Sequence, residues 1–346
     1  KTLPIIIIFE DIHWTSDIAL NFIEELGSFL TDICGILLLV SRESLLQRRP
    51  NFGIDFQEYT QIKLRRLSQK DSEFLIKNIL HKIEKLPDYL IAEIYEKSSG
   101  IPLFIEEIVK VLLEQDVILF KDNNLIFDNE KYKSLSIPLS VESILQARLD
   151  VLSVEEKRFI QKASVIGRVF WTGILRHLTI QQNQEPENIK ILLNNLEDKD
   201  LIFKKSYKDS TLQEEYIFKH ALLRDVAYHS IVEREKQTYH HQIATFLEKT
   251  SFNQIQNIES IIAFHFEKAK DYPKSVNYYL KAGDVAYSLS WGTESITNYL
   301  KALEIFPNIE NGSKETYINL LLNVSKAYRD IAQYRNCQKY LDLAKE

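Results

Sequence analysis

Two adjacent carboxylates, Glu10 and Asp11, close a run of five apolar residues, Ile5 to Phe9. Four of those five are isoleucine, a β-branched residue suited to a pleated strand. A continuous apolar run of this length reads as a buried parallel strand, and such sheets place ligands beyond the carboxyl ends of their strands. Two acids there can hold Mg²⁺ and orient a water against a nucleotide phosphate. A plainer reading stays open: two solvated carboxylates ahead of a helix N-terminus, where the helix dipole favours negative charge. His13 and Trp14 follow directly.

A second candidate stands at the end of the next apolar run. Gly35 to Val40 leads into Ser41 and Arg42. The fixed charge of Arg42, at the end of a neighbouring strand, could reach a γ-phosphate. A surface arginine in a loop is the plainer alternative, and Arg48 and Arg49 make weaker claims to the same role. The third candidate is Gly100-Ile101-Pro102, inside the string SSGIPLFIEEIVKVLLE, which breaks one helix and starts another. The glycine-rich phosphate loop GxxxxGK[ST] occurs nowhere in the 346 residues. Without its backbone N–H groups and lysine, the phosphate affinity of this stretch alone is expected to be very poor. The eight histidines form neither HExxH nor a Cys/His metal pattern, and no Ser-His-Asp arrangement can be argued.

These residues need a scaffold, and the chain changes character along its length. Residues 1–66 alternate strand and helix. The first strand is followed by Thr15 and Ser16, good N-cap types, and an amphipathic helix to about Leu30. A third strand is expected from Phe56 to Leu64. This is an α/β stretch, the back part of a nucleotide-binding sheet. Residues 67–115 become helical, with Ser68 and Asp71 marking a helix start and Leu103 to Leu113 a new amphipathic helix. Residues 116–250 read as a helical domain with a winged-helix element. A hairpin is expected around Asp122-Asn123-Asn124, three helices near 140–150, 154–166 and 187–200, and two strands at Leu201–Phe203 and Tyr216–Phe218. Two further helices are expected at 220–231 and 234–249.

From about 256 the pattern is helical hairpins. Ala263, Phe266, Tyr272, Ser275, Tyr279 and Ala282 fall at offsets 0, 3, 9, 12, 16 and 19, and Ser325, Tyr328, Tyr334, Cys337, Leu341 and Ala344 repeat those offsets. Small residues permit close helix contact and aromatics fill the gaps, which is the tetratricopeptide pattern. Ser295, Tyr299, Ala302 and Pro307 match its second helix. Residues 256–346 are therefore expected to hold at least two irregular repeats.

Composition narrows the class. A hydrophobic content of 45% and a charged content of 27% suit a globular protein with two or three domains. A net charge of −6 gives nothing to attract nucleic acid or an anionic membrane. The candidate recognition helix, with Glu187, Glu197, Asp198 and Asp200 against Lys190 and Lys199, argues against DNA as a partner. Two cysteines, Cys34 and Cys337, make no disulfide framework and fit a reducing, cytoplasmic setting. No apolar run approaches the ~20 residues of a membrane helix. The chain starts at Lys1, contains no methionine and ends at Glu346 within a helical pattern. It reads as a piece of a longer protein.

The strings FEDIHW, LLLVSRES, SSGIPLFIEEIVKVLLE, IPLSVESILQARLDVL, ASVIGRVF, FKHALLRDVAYHSIVEREKQTYHHQIATFLE and AFHFEKAKDYPKSVNYYLKAGDVAYS occur in this order. Together they resemble the ATPase-plus-repeat region of the adenylate/guanylate cyclase group related to soluble adenylyl cyclase. The resemblance implies an α/β stretch followed by mostly α structure: the C-terminal part of a P-loop NTPase core (1–66, from Walker B to sensor 1), a helical lid with a GxP motif (67–115), a winged-helix/helical domain (116–250) and incomplete tetratricopeptide-like repeats (256–346). It implies a STAND-type signalling ATPase using ATP and Mg²⁺. Glu10 would bind the metal, Asp11 would share it and activate water, Arg42 would sense the γ-phosphate, and Pro102 would pack near adenine. The repeats would hold a protein partner. The generic Walker B motif prefers aspartate first, so Glu10 departs from it. Similar ATPase–repeat regions occur in transcription regulators and protein kinases, and a non-catalytic repeat scaffold is a further alternative. The phosphate loop and the cyclase domain would lie upstream, so the piece is not expected to be active alone.

Overall fold

The computed structural model describes residues 4–15, 17–30, 35–54, 56, 58–80, 87–121, 124–134, 140–180, 186–209, 213–250 and 257–345. The chain is mostly helical with small sheets. It divides into two compact units, residues 1–63 with 253–346, and residues 64–252.

The first stretch of the first unit is a strand–helix–strand. β1 (Ile5–Phe9) and β2 (Gly35–Leu39) pair in parallel, with Phe9 opposite Leu39, and α1 (Asp17–Leu30) makes the crossover. Then comes α2, a short helix at Ser44–Arg48. Phe9, Leu37 and Leu39 turn inward onto Ile12, Leu20, Ile23, Leu45 and Phe52. The alternate residues turn outward: Ile6, Ile8, Ile36 and Leu38 are 65%, 56%, 61% and 48% exposed. Among the described residues, α1 and α2 cover one face of this strand pair and leave the other open. The expected third strand is corrected. Among the described residues of 56–64 no strand forms, and Ile62 and Leu64 lie exposed. A strand persists only where a neighbour's backbone completes its ladder, and this stretch finds none.

The second unit opens with three helices, α3 (Gln69–Ile79), α4 (Asp88–Ser98) and α5 (Pro102–Glu114). Ser68 caps α3 by accepting from the Asp71 N–H at 3.2 Å, as the sequence predicts. Pro102 takes the first helical position of α5, where a missing N–H costs nothing. Their apolar faces meet in one core around Ile76, Leu90, Ile94, Ile105, Ile108 and Leu112. The hairpin of β3 (Ile118–Lys121) and β4 (Asn124–Phe127) follows, then α6 (Asn129–Ser134), α7 (Val141–Asp150) and α8 (Val154–Ile166). The turn residues Asp122 and Asn123 lie outside the described residues. A capping box between Ser153 and Glu156 starts α8.

Next come β5 (Val169–Trp171), α9 (Thr172–Ile180), α10 (Pro186–Asp198), β6 (Ile202–Asp209) and β7 (Gln213–Phe218). The three strands form an antiparallel sheet in the order β5-β7-β6. α11 (Ala221–His229) and α12 (Glu233–Lys249) complete the unit. Leu145, Phe159, Phe170, Leu193, Tyr216, Phe218 and Leu223 share its second core. The helices and the hairpin follow the sequence reading, while α6, β5 and α9 were not foreseen by it.

The remaining stretch of the first unit is helical: α13 (Ile258–Lys268), α14 (Tyr272–Ser288), α15 (Gly292–Ile305), α16 (Lys314–Asp330) and α17 (Tyr334–Lys345). The repeated offsets meet in space. The Ser275 hydroxyl donates to the Ala263 carbonyl oxygen at 3.0 Å, and the Ser325 hydroxyl to the Cys337 carbonyl oxygen at 3.2 Å. The same two positions touch in both hairpins, with donor and acceptor exchanged. Gly283 lets the Tyr299 ring lie against α14, since a Cβ there would stand 2.3 Å from that ring. Among the described residues no helix is long and apolar enough to cross a membrane.

Candidate functional site

The parallel register brings two of the candidates to one sheet end. Phe9 pairs with Leu39, the Val40 N–H donates to the Phe9 carbonyl oxygen at 2.9 Å, and the Ile12 N–H donates to the Val40 carbonyl oxygen at 3.2 Å. The segments carrying Glu10–Asp11 and Ser41–Arg42 therefore leave the carboxyl ends of adjacent strands, stitched by backbone hydrogen bonds. Glu10 and Arg42 are exposed and Asp11 half-buried. Asp11 sits in the left-handed region, at φ 56° and ψ 30°, where aspartate is tolerated better than most side chains. A tight 3₁₀ turn follows at Ile12–Trp14, with the Trp14 N–H donating to the Asp11 carbonyl oxygen at 3.0 Å.

The three arginines divide cleanly. Arg48 donates to the carbonyl oxygens of His13 and Thr15, at 3.3 and 2.7 Å. Arg49 pairs with Glu24 at 3.0 Å and bonds the Asn21 side chain at 2.8 Å. Both are committed to holding this stretch together. Among the described residues, the Arg42 guanidinium has no hydrogen-bond or ion-pair partner. The His13 ring is buried, and neither of its nitrogens has a hydrogen-bond partner. Among the described residues there is no group of three or more metal-ligating side chains.

Pro102 lies in the other unit, exposed at the start of α5. The turn before it is tightly determined. Gly100 is buried at φ 71°, the Leu67 N–H donates to its carbonyl oxygen at 2.8 Å, and a Cβ on it would stand 2.2 Å from the Leu67 carbonyl oxygen. Only glycine fits both the backbone conformation and the contact. An open cleft of about 570 Å³ lies beside this turn, lined by Arg66, Leu67, Ser68, Tyr95, Glu96 and Ser99. Pro102 is not among its lining residues, and the mostly polar lining offers little apolar surface to an adenine ring.

Sequence reasoning missed a charge cluster in the second unit. Glu107 on α5 is fully buried and accepts from Arg148 Nη1 on α7 at 2.6 Å. Arg148 Nη2 donates to the Lys199 carbonyl oxygen at 2.7 Å. Lys110 reaches both Glu107 (3.5 Å) and Asp200 (2.5 Å), and Lys219 pairs with Asp200. Burial alone would raise the Asp200 carboxyl, but the hydrogen bonds from Lys110 and Lys219 hold it below the ordinary carboxylate value. Burial holds the His220 imidazole below its usual value, against the pull of Glu107. The Arg148–Glu107 and Lys110–Asp200 pairs are 41 and 90 residues apart in sequence, so no local spacing could have signalled them.

No family model matches the chain. An uncharacterized protein of Rhizobium meliloti is 24% identical over 327 residues, which is 92% of this chain and 29% of that protein. The chain thus spans under a third of the length of the curated relative it matches. Among solved structures, a Signal Transduction ATPase with Numerous Domains (STAND) protein with a tetratricopeptide repeat sensor, from Pyrococcus horikoshii, aligns with 98% of this chain and 61% of its own. The TM-score is 0.44 and the identity 16%.

Proposed function

We propose that the chain is the regulatory ATP-binding and repeat region of a larger signalling protein, a STAND-type ATPase module attached to a class III adenylate or guanylate cyclase. The observation that carries the reading is the parallel pairing of β1 and β2, which sets Glu10–Asp11 and Arg42 at the carboxyl ends of neighbouring strands. That is where open α/β sheets bind nucleotides. In this reading Glu10 and Asp11 hold Mg²⁺, Asp11 orients the attacking water, and Arg42 meets the γ-phosphate. The exposed apolar row Ile6, Ile8, Ile36 and Leu38 supports a sheet that continues into a larger core.

The order α8–β5–α9–α10 followed by the β6–β7 hairpin supports a winged-helix element. Lys199 and Asp200, from the proposed recognition-helix end, are engaged in ion pairs with Glu156, Lys110 and Lys219. That favours a structural role over DNA binding. The five helices from α13 to α17 would present a surface to a protein partner. Pro102 is proposed to pack near adenine. ATP turnover by the full-length protein, wild type against Asp11→Asn, tests the reading. Loss of turnover in the variant supports it, and equal rates remove Asp11 from the mechanism. A cyclase domain and a phosphate loop encoded upstream would support the finer assignment, and a kinase domain there would replace it.

A further inference from the structure

The turn that leaves Asp11 is held by a side chain to which the proposed mechanism gives no role. Arg48 is the last residue of α2. Its two terminal nitrogens reach the carbonyl oxygens of His13 and Thr15, at 3.3 and 2.7 Å, and its Nε stands 3.9 Å from Asp17. The first end of α2 is tied elsewhere: the Leu45 N–H donates to the Arg42 carbonyl oxygen at 3.1 Å. Leu45 is buried against Ile12, Leu20 and Ile23, which fixes the helix between its two ends. One short helix therefore joins the backbone of Arg42 to the turn behind the acid pair. The second tie needs a guanidinium. Its planar fork can serve two carbonyl oxygens at once, whereas an ammonium is a single point of charge.

We infer that Arg48 is a positioning residue. Through α2 it keeps the Glu10–Asp11 turn at a constant spacing from the Arg42 loop, so that the water-orienting acid and the phosphate-sensing cation act on one nucleotide. Arg48 itself touches neither nucleotide nor metal. This rests on the ATPase reading above. Loosening such a tie misplaces groups that matter in the transition state more than in the ground state, so the loss falls on kcat and spares KM.

The test is steady-state ATP hydrolysis by the full-length protein, as wild type, Asp11→Asn, Arg48→Ala and Arg48→Lys. Asp11→Asn is expected to abolish turnover. Arg48→Ala is expected to lower kcat by about 10- to 100-fold with KM changed less than about twofold. Arg48→Lys, which keeps the charge and most of the packing, is expected to show a similar loss and reads out the role if the alanine variant does not fold. Millimolar methylguanidinium is expected to restore part of the Arg48→Ala rate and none of the Asp11→Asn rate. Normal kcat in the Arg48 variants, beside a dead Asp11→Asn, overturns the positioning role alone. So does a loss that raises KM equally and resists methylguanidinium, which marks a merely structural arginine. Full turnover in Asp11→Asn overturns the ATPase reading and this inference with it.

Discussion

Glu10 and Glu107 are both glutamates, and the fold treats them in opposite ways. Glu107 is withdrawn from water and gripped by Arg148, with Lys110 at its other oxygen. Glu10 is left exposed at a strand end, and Arg42, on the neighbouring strand's exit, has no partner among the described residues. A buried carboxylate must be paired, because an unpaired charge there is far costlier than the bond it makes. An exposed acid carries no such obligation. The difference teaches which charges hold the fold and which remain available to something that arrives from solution. Arg48 and Arg49 sharpen the contrast, since they sit in the same stretch as Arg42 and are already bonded to it.

If that division is right, damage should fall on stability at one site and on chemistry at the other. The largest expected stability effect is at Arg148. Arg148→Ala leaves Glu107 buried without its main counter-charge and should destabilise the unit formed by residues 64–252 by about 3–5 kcal/mol. Denaturant unfolding followed through that unit measures it, and a loss under about 1 kcal/mol would put Glu107 with the dispensable charges. Next comes the backbone that sets the start of α5, the helix carrying Glu107. Gly100→Ala combines a left-handed residue with a contact onto the Leu67 carbonyl and should cost about 3 kcal/mol. The same assay reads it, and a neutral result would mean that the turn relaxes freely.

A smaller effect depends on pH. Lys162 on α8 is buried, and burial, with Arg158 adding to it, pushes its ammonium down to about 8. The unfolded chain keeps the ordinary, higher value, so between about pH 8 and 10 the unfolded state binds more protons. Stability should therefore rise with pH across that window, relative to Lys162→Met, which cannot titrate. Unfolding of both proteins at several pH values checks the sign. A gap that stays constant across the window would show that the lysine titrates normally in the fold.

Much of this was readable from the chain, for reasons that differ by element. β1, β2 and α5 announce themselves because their signals are local: unbroken apolar runs, and a Gly-x-Pro stop ahead of an amphipathic helix. The hairpin offsets worked because the same small residues must face each other in each repeat, as Ser275 with Ala263 and Ser325 with Cys337 do. What failed depended on partners that spacing cannot reveal. The run from Phe56 to Leu64 has strand-like residues and no strand beside it. The outward isoleucines of β1 look the same in sequence as the inward ones. β5 is three residues long and exists through its pairing with β7. The roles of Arg48, Arg148 and Lys199 arise from contacts 33 to 51 residues away. Of the candidate site, the strand ends bearing Glu10, Asp11 and Arg42 were legible. The helix that ties them together was not.

The most direct test of the division measures rate and stability on one variant of the full-length protein. Glu10→Gln should lower ATP turnover by about 10²-fold or more while changing unfolding stability by less than about 0.5 kcal/mol. Undiminished turnover, or a large fall in stability beside the fall in rate, would contradict the claim that this acid serves chemistry and not the fold.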